Sequence, residues 1–213
     1  MLFSSHEFIF YFLPLCIAGV GLGRHFGHVV SLSVLLGFSL LFYGVFHPPY
    51  LAILLGSISI NYCGAEMARR TRSRWALGLL ILFNIGLLGV YKYADLAIAT
   101  SNALLGSQFE MLRLVLPLAI SFFTFQQIAY VVDRFRGDLE QMPLLHYAVF
   151  VAFFPQLIAG PIVRCQYVAR DLMDHGVRMS SGRFNWGLSL FILGPVSYTH
   201  LKLPTKEDVG SGR

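Results

Sequence analysis

Three hydrogen-bonding side chains interrupt the apolar stretch LPLAISFFTFQQIAYVVDRFRGD, which covers residues 116–138. On an ideal helix Ser121, Thr124 and Gln127 lie within about 120° of arc, so the three side chains share one face. Such a face can bond to neighbouring helices, or it can line a path for a polar substrate. Periodicity favours bonding between helices and leaves the substrate path open.

A second unusual stretch, FFPQLIAGPIVR, covers residues 153–164. Pro155 and Pro161 have no backbone N–H, so each leaves a carbonyl one turn earlier without its usual partner. Irregular backbone at membrane depth is tolerated only against protein or beside a water-filled cavity. We therefore predict that the segment 145–162 is broken or re-entrant, and Gly160 is the third residue expected to break it.

Polar side chains in and near the broken segment extend the set of candidate substrate-path residues. We expect Gln156 to bond to backbone or substrate groups, and Arg164 to lie near the cytoplasmic mouth of the path, where its guanidinium could bind an anionic group. Asn61, in SINYCG, and Asn84, in LFNIG, are each expected to donate a hydrogen bond to another helix. Asn61 also remains a candidate for the path.

The sequence offers no catalytic residue and no metal site. The histidines that precede the C-terminal tail lie in loops, at interfaces or at the start of an apolar segment, without a carboxylate or nucleophile at a recognisable spacing. Cys16, Cys63 and Cys165 are far apart and match no metal-binding spacing. Phosphate-binding, zinc-protease and nucleophile-elbow motifs are also absent from the sequence.

Composition identifies the environment in which these residues lie. Of 213 residues, 56% are hydrophobic and 13% are charged, and the mean hydropathy is +0.65. Soluble domains carry about 25% charged residues, so this composition predicts a membrane protein. The formal net charge of +5 does not indicate nucleic-acid binding, because the basic residues form short clusters between apolar runs.

The apolar runs predict an all-α polytopic membrane protein with six to seven hydrophobic segments. The N-terminus has no basic region before its first apolar run, so we expect that run to be a retained span rather than a signal peptide. The expected segments cover residues 8–22, 28–46, 50–67, 75–91, 114–132 and 145–162, and a further one begins at Phe184.

Arginine clusters predict the orientation of the chain. The clusters GRHFGH, ARRTRSR and DRFRGDLE alternate with loops that lack them, so the positive-inside rule places them in the cytoplasm and the N-terminus outside. Lys92 and Arg113 then bound an external segment that contains a short amphipathic run at 94–105. A re-entrant segment at 145–162 would return the arginines that follow it to the cytoplasm.

The two long motifs, in this order and about fifteen residues apart, resemble the front half of the membrane-bound O-acyltransferase family. The likeness is greatest to its alginate O-acetyltransferase branch, which has similar counterparts of MLFSSHEFIFYFLPL, NYCG and YKYAD. The resemblance covers residues 1–194. It implies a ring of membrane helices around a funnel, in which an acyl group passes to hydroxyls of an extracytoplasmic polysaccharide such as alginate.

The resemblance also implies a donor, partners and a location. The donor would be acetyl-CoA or another acyl thioester, no cofactor would stay bound, and periplasmic acetylation or export proteins would act as partners. The location would be the bacterial inner membrane. In this family a histidine in a later membrane segment acts as the base, and its Trp-His-Gly context does not occur in this sequence.

Residues 195–213, PVSYTHLKLPTKEDVGSGR, are polar and non-periodic and do not resemble the family. We interpret them as a non-native or disordered tail that follows the N-terminal portion of the membrane domain at 1–194. The chain is then expected to be inactive by itself. Its intramembrane polar residues are expected to face lipid wherever helices of the second half are missing.

A different functional class remains open. A transporter or channel-like component could use the same broken helix as a permeation element, because discontinuous helices often bind substrates. The absence of a second copy of either long motif favours the acyltransferase, since transporters often contain internal repeats.

Overall fold

A computed structural model describes residues 5–46, 48–106, 108–159 and residue 165. Within these residues all regular secondary structure is helical, which confirms the predicted all-α class. A π-helical turn at Phe8–Phe12 leads directly into the first helix. The helices are α1 (Leu13–Phe26), α2 (His28–Phe46), α3 (Pro48–Thr71), α4 (Arg74–Leu105), α5 (Ile120–Arg136), α6 (Leu144–Ala152) and α7 (Phe154–Ala159).

Four helical stretches of the described chain are long and apolar enough to cross a membrane. Many large apolar side chains along them are exposed, as expected of surfaces that face lipid. The prediction of a polytopic membrane protein is therefore confirmed. The spans are Phe8–Phe26, His28–Val45, Pro48–Thr71 and Arg74–Leu105.

Helices α1 and α2 form a tightly packed hairpin. Gly27, with φ +129°, makes the turn between them, in a backbone region that favours glycine. A Cβ atom at Gly23 would lie 3.0 Å from the Cα atom of Ser31 on α2. Small residues at such points let membrane helices approach closely. Ser31 strengthens the contact by donating a hydrogen bond from Oγ to the carbonyl of Val20 at 3.2 Å.

Helix α3 packs against α4 and α5 and occupies the centre of the described fold. The short turn between α3 and α4 closes through hydrogen bonds from the amides of Arg72 and Ser73 to carbonyls in the last turns of α3. Ser73 then caps α4 by accepting a hydrogen bond at Oγ from the amide of Ala76 at 3.3 Å. This turn fixes the relative positions of the arginines at the two helix ends.

The fourth helix is longer than expected. The sequence predicts a span at 75–91 and a separate amphipathic run at 94–105. The structure instead has one continuous helix over Arg74–Leu105. The residues between those two segments include no glycine or proline to break the helix. At 1.5 Å per residue α4 is about 48 Å long, beyond the roughly 30 Å of a hydrocarbon core.

The fifth helix begins later than the predicted segment 114–132, at Ile120. The residues before it form an irregular, non-helical connection, in which Arg113 and Ala119 have positive φ. Side chains of two other helices bind carbonyls of this connection. The Tyr50 hydroxyl donates to the carbonyl of Val115 at 2.7 Å, and the Tyr43 hydroxyl donates to that of Leu118 at 3.2 Å. Pro117 also disfavours helical backbone at the residue before it.

The predicted break in the segment 145–162 is confirmed at Phe153, which separates α6 from α7. Its ψ of 104° ends α6, and its carbonyl accepts hydrogen bonds from the amides of Gln156 and Leu157. Pro155 therefore lies in the first turn of a new helix, where a missing N–H costs little. Gly160 and Pro161 lie outside the described residues, and re-entry into the membrane stays a prediction.

An aromatic cluster holds α7 against the N-terminal hairpin. The ring of Phe154 lies 5.4 Å from that of Phe12 and 5.3 Å from that of Phe42, measured between centroids. Phe8 also packs on Phe42, with centroids 5.7 Å apart. These rings are buried, so the break in the segment lies within the hydrophobic core.

Candidate functional site

Four polar side chains from α3, α4 and α5 form one cluster, which we call the amide cluster: Ser57, Asn61, Asn84 and Gln127. The Asn61 side-chain amide donates to Gln127 Oε1 at 2.5 Å and to Asn84 Oδ1 at 3.2 Å. Asn84 returns a hydrogen bond to Asn61 Oδ1 at 2.6 Å, and Ser57 donates to Gln127 Oε1 at 3.1 Å. The cluster therefore links three helices through side chains alone.

The amide cluster is buried inside the described fold. Asn61 and Gln127 are 0% exposed, and Asn84 is 1% exposed. The expectation that Asn61 and Asn84 donate hydrogen bonds between helices is confirmed. The polar residues expected to face lipid without a second half are Ser121, Thr124, Gln127 and Asn61. The expectation is wrong for the last three, because neighbouring helices of this same chain cover them, and Ser121 is half-buried. Whether they line a substrate path stays a prediction.

Some polar atoms on the α5 face remain without a protein partner. Thr124 is 0% exposed and its Oγ1 has no hydrogen-bond partner in the described fold, and the same holds for Nε2 of Gln127. Ser121 is half-buried on the same face. Buried polar groups normally have partners, so these atoms retain hydrogen-bonding capacity that a bound molecule could use.

Gln126 is a buried polar residue that the sequence reasoning missed. It is 2% exposed, and its Oε1 has no partner among the described residues. It lies about 100° from Gln127 around the helix, outside the face shared by Ser121 and Thr124. A search confined to one helical face could not find it.

The broken segment supplies a further polar side chain. Gln156, on α7, is half-buried, and its Nε2 is enclosed without a partner among the described residues. Arg164 lies outside the described residues. In the α6 part of the segment, the ring of Tyr147 lies 4.2 Å from that of Tyr130 and 5.6 Å from that of Tyr62, measured between centroids, and is tilted by 34° to each. The Tyr147 hydroxyl is also buried without a partner in the described fold.

A second polar region, which is charged, lies where α3 and α5 end and α4 begins. We call the 980 Å³ cavity there the arginine cavity. Glu66 accepts hydrogen bonds from Arg70 at 2.7 Å and from Arg134 at 2.6 Å. Arg134 also donates to the carbonyl of Leu139 at 3.1 Å. Its lining residues are Glu66, Arg69, Arg70, Arg72, Arg74, Arg134, Phe135, Arg136, Gly137, Glu140 and Gln141.

Neither region is a metal centre. Among the residues that the structure describes, no group of three or more His, Cys, Asp and Glu side chains could hold a metal ion. The amide cluster offers neutral donors and acceptors, and the arginine cavity offers cations. The first suits a neutral polar substrate and the second suits an anion.

Comparison with known proteins gives several relatives. The chain is 36% identical to the peptidoglycan O-acetyltransferase of Helicobacter pylori, over 90% of this chain and 42% of that protein. It is 34% identical to the probable alginate O-acetylase AlgI of Pseudomonas syringae, over 91% of this chain and 38% of that protein. With AlgI of Pseudomonas aeruginosa the identity is 35%, over 82% of this chain and 34% of that protein.

The chain thus spans well under half the length of the curated relatives it matches. No family model matches the sequence, and no solved structure matches it significantly. The relatives confirm the resemblance that the two long motifs predict.

Proposed function

Because the chain belongs to the membrane-bound O-acyltransferase family, in the branch of the alginate and peptidoglycan O-acetyltransferases, we propose that it forms the front part of a polysaccharide O-acetyltransferase. One observation carries the proposal: identity of 34–36% to proteins with those names, sustained over 82–91% of the chain. Similarity of this extent includes spans and loops outside the two long motifs as well as the motifs themselves.

The proposed reaction transfers an acetyl group from an acyl thioester to a hydroxyl of an extracytoplasmic polysaccharide. The attacking oxygen must lose a proton and must meet the thioester carbon at near-attack distance, in a space that excludes competing water. The described residues would contribute positioning groups to this reaction rather than a base. By the family resemblance, the base would be a histidine in a Trp-His-Gly context, which does not occur among the residues of this sequence.

The unpartnered atoms of α5 and α7 support the assignment of a substrate path. Thr124 Oγ1, Gln127 Nε2 and Gln156 Nε2 are enclosed and have no partner in the described fold. We assign these three residues, with Ser121, to the wall of the funnel, where their hydrogen bonds would orient the acceptor or the acyl carbonyl. Arg164 would attract the anionic donor at the cytoplasmic mouth.

The location and partners follow from the same proposal. An enzyme that uses a cytoplasmic thioester and an exported polymer must lie in the bacterial inner membrane, with its funnel open to both sides. The arginine clusters support an extracytoplasmic N-terminus. Periplasmic acetylation or export proteins would deliver or receive the polymer.

The substitution Thr124→Val tests the substrate path in the full-length protein. Valine matches threonine in shape and removes a hydroxyl that has no partner in the described fold. We expect acetyl ester formation on alginate or peptidoglycan to fall about tenfold, about the effect of 1.4 kcal/mol on the barrier, while the protein stays folded. Labelled acetyl-CoA and isolated membranes provide the assay.

Thr100→Val is the matched control, because the exposed Thr100 hydroxyl bonds only to the Leu96 carbonyl of its own helix. Transfer should be unchanged in this variant. If Thr124→Val also leaves transfer unchanged, Thr124 does not lie on the path. If the full-length protein moves a solute across vesicles but forms no acetyl ester, the transporter alternative replaces the proposed function.

We further propose that residues 1–194 alone do not transfer acetyl groups, because general-base assistance is worth about 10²- to 10⁴-fold in rate. Co-expression with the second half of a relative should restore transfer. Acetylation above background by residues 1–194 alone would contradict this proposal.

A further inference from the structure

The arginine cavity combines a concave shape with an excess of positive charge. Its wall contains six arginines and two glutamates, so four formal positive charges are not balanced within it. The arginines come from three places in the chain: the end of α3, the turn into α4 and the end of α5. Orientation of a membrane protein requires basic residues in a loop, but it does not require arginines from separate helices to surround one space.

Part of this charge is already used within the fold. Glu66 pairs with both Arg70 and Arg134, so the only half-buried carboxylate of the wall is shared between two guanidiniums. Arg134 is 4% exposed, and its Nε has no hydrogen-bond partner among the described residues. The wall therefore contains a buried donor that the described fold leaves unused.

Three other arginines of the wall are available to a ligand. Arg72, Arg74 and Arg136 are exposed, and each lacks an ion pair or side-chain hydrogen bond with the rest of the described chain. A guanidinium binds phosphate oxygens through two parallel N–H donors, a geometry that a lysine ammonium cannot offer. The ligand chemistry that fits these groups is a phosphate ester.

The surroundings of the cavity place it at the level of lipid headgroups. It lies where the spans α3 and α4 meet their connecting turn, at the edge of the apolar segments. Trp75, next to Arg74, is 87% exposed, and Met67, next to the last turn of α3, is 57% exposed. Exposed tryptophan is characteristic of the membrane–water interface, so an anion in this cavity would lie beside the acyl chains.

We propose that the arginine cavity binds the phosphate of an anionic phospholipid headgroup in the cytoplasmic leaflet. Basic pockets between membrane helices on that side favour such headgroups. The exposed arginines would hold the phosphate, Arg134 would donate from beneath, and the lipid tails would extend past Trp75 and Met67. This site does not depend on the acetyl-transfer proposal.

Native mass spectrometry of the full-length protein in mixed micelles tests the site, with phosphatidylglycerol and phosphatidylcholine as probes. The test variant combines Arg72→Gln, Arg74→Gln and Arg136→Gln. The control variant, Arg24→Gln with Lys92→Gln and Arg113→Gln, removes the same formal charge outside the cavity. We expect phosphatidylglycerol affinity to fall at least tenfold in the test variant and to stay within twofold in the control.

Equal losses in the two variants would overturn the proposal, because they would show attraction by net charge alone. Equal affinity for the two lipids would also overturn it. A variant in which the same three arginines become lysines keeps the charge but loses the planar donors, and we expect it to bind with intermediate affinity. Unfolding midpoints of all variants, measured in phosphatidylcholine micelles, identify any loss that comes from misfolding.

Two soluble probes separate a lipid from other phosphate esters. We expect millimolar inorganic phosphate and coenzyme A to displace less than half of the bound phosphatidylglycerol. Displacement by coenzyme A at equimolar concentration would assign the cavity to the acyl donor and overturn the lipid assignment. Displacement by inorganic phosphate alone would reduce the site to a general anion site and would overturn it as well.

Discussion

Helix α3 carries two polar regions five residues apart. They differ in how much hydrogen-bonding capacity and charge they leave without a partner in the fold. At Asn61 the amide cluster joins three helices through neutral side chains that are almost fully buried. At Glu66 the arginine cavity begins, and there the cations outnumber the carboxylates. The first region consumes most of its hydrogen-bonding capacity inside the fold, and the second retains charge that the fold does not neutralise.

The difference shows how membrane depth selects the chemistry of polar groups. In hydrocarbon an unpaired charge is too costly, so the side chains at the centre of α3 are amides and hydroxyls that pair across helices. Near the interface, arginine heads stay hydrated or bind phosphate, so an excess of them can persist. A polar residue within a span is therefore weak evidence of a site by itself, and a polar atom left without a partner is stronger evidence.

Asn61→Leu should produce the largest loss of stability, because it removes the residue at the centre of the amide cluster. Leucine has a similar shape, and it leaves Asn84 and Gln127 without hydrogen bonds that they now make. Each buried group left unsatisfied costs about 1–3 kcal/mol, so we expect a loss of roughly 2–4 kcal/mol. Reversible unfolding of the full-length protein in mixed micelles measures it.

Ser59→Ala is the matched control for this substitution. Ser59 lies on the same helix and is exposed, and its hydroxyl bonds to the Leu55 carbonyl of its own helix. We expect a change below about 0.5 kcal/mol, as is usual for exposed positions. A loss for Asn61→Leu no larger than this would mean that the amide cluster contributes little to stability.

Gly64→Ala should have the next largest effect, because Gly64 lies between the two regions at the contact of α3 with α4. A Cβ atom there would lie 2.5 Å from Cδ2 and 3.0 Å from Cδ1 of Leu80. Leu80 must move. Its δ-carbons are the flexible end of the side chain, but Leu80 is 8% exposed in the core, so we expect the lower part of the roughly 1–3 kcal/mol that overpacking costs. The unfolding midpoint should fall, and the α3–α4 contact on which both regions depend should loosen.

Gly56→Ala separates packing from helix propensity. Gly56 is on the same helix, and a Cβ atom there would meet nothing within 4 Å. Alanine is the better helix former by about 1 kcal/mol, so this variant should be as stable as the wild type or more stable. If both alanine variants change stability equally, the contact between Gly64 and Leu80 is not tight.

The sequence predicted the spans better than it predicted their partners. The segments at 28–46 and 50–67 match α2 and most of α3, because long apolar runs determine such helices locally. The predicted start of α5 is too early, since hydroxyls of Tyr43 and Tyr50, 65 or more residues away in sequence, bind carbonyls of the preceding non-helical backbone. Contacts of that range leave no periodic signal.

The same reason limits prediction of the sites. The shared helical face correctly grouped Thr124 with Gln127, but it could not show that Gln127 meets Asn61, a residue 66 positions away. In the sequence Arg134 indicates only orientation, because its partner Glu66 lies 68 positions away. The sequence identifies which residues are polar, and only the fold shows which of them remain unpaired.

Glu66→Gln should have a moderate effect on stability and should make the net charge of the arginine cavity more positive. It removes the carboxylate shared by Arg70 and Arg134. Glutamine can still accept a hydrogen bond at its amide oxygen, but it removes the negative charge opposite the buried Arg134, which also donates to the Leu139 carbonyl. Because Glu66 is partly solvated, we expect a loss of about 1–2 kcal/mol. Added salt should reduce the difference between this variant and the wild type.

A double-mutant cycle with Arg134→Met provides the control for that substitution. The two losses should not add, because either change removes the same pair. Additive losses would show that Glu66 and Arg134 act independently. The Glu66→Gln variant should also bind phosphatidylglycerol more tightly than the wild type, since the wall of the cavity then carries one negative charge fewer.

Arg72→Gly should have the smallest effect, and it separates backbone strain from charge in the arginine cavity. Arg72 has a φ of +50°, in the left-handed region that costs a non-glycine residue roughly 1 kcal/mol. Its amide and that of Ser73 close the end of α3 in the pattern that usually places glycine at this position.

Arg72→Ala removes the same guanidinium but keeps the strain, so Arg72→Gly should be more stable than Arg72→Ala by about 0.5–1 kcal/mol. Thermal unfolding of both variants measures this difference. Equal stabilities would mean that the turn relaxes without glycine, whereas the expected difference would show that residue 72 carries backbone strain that glycine relieves.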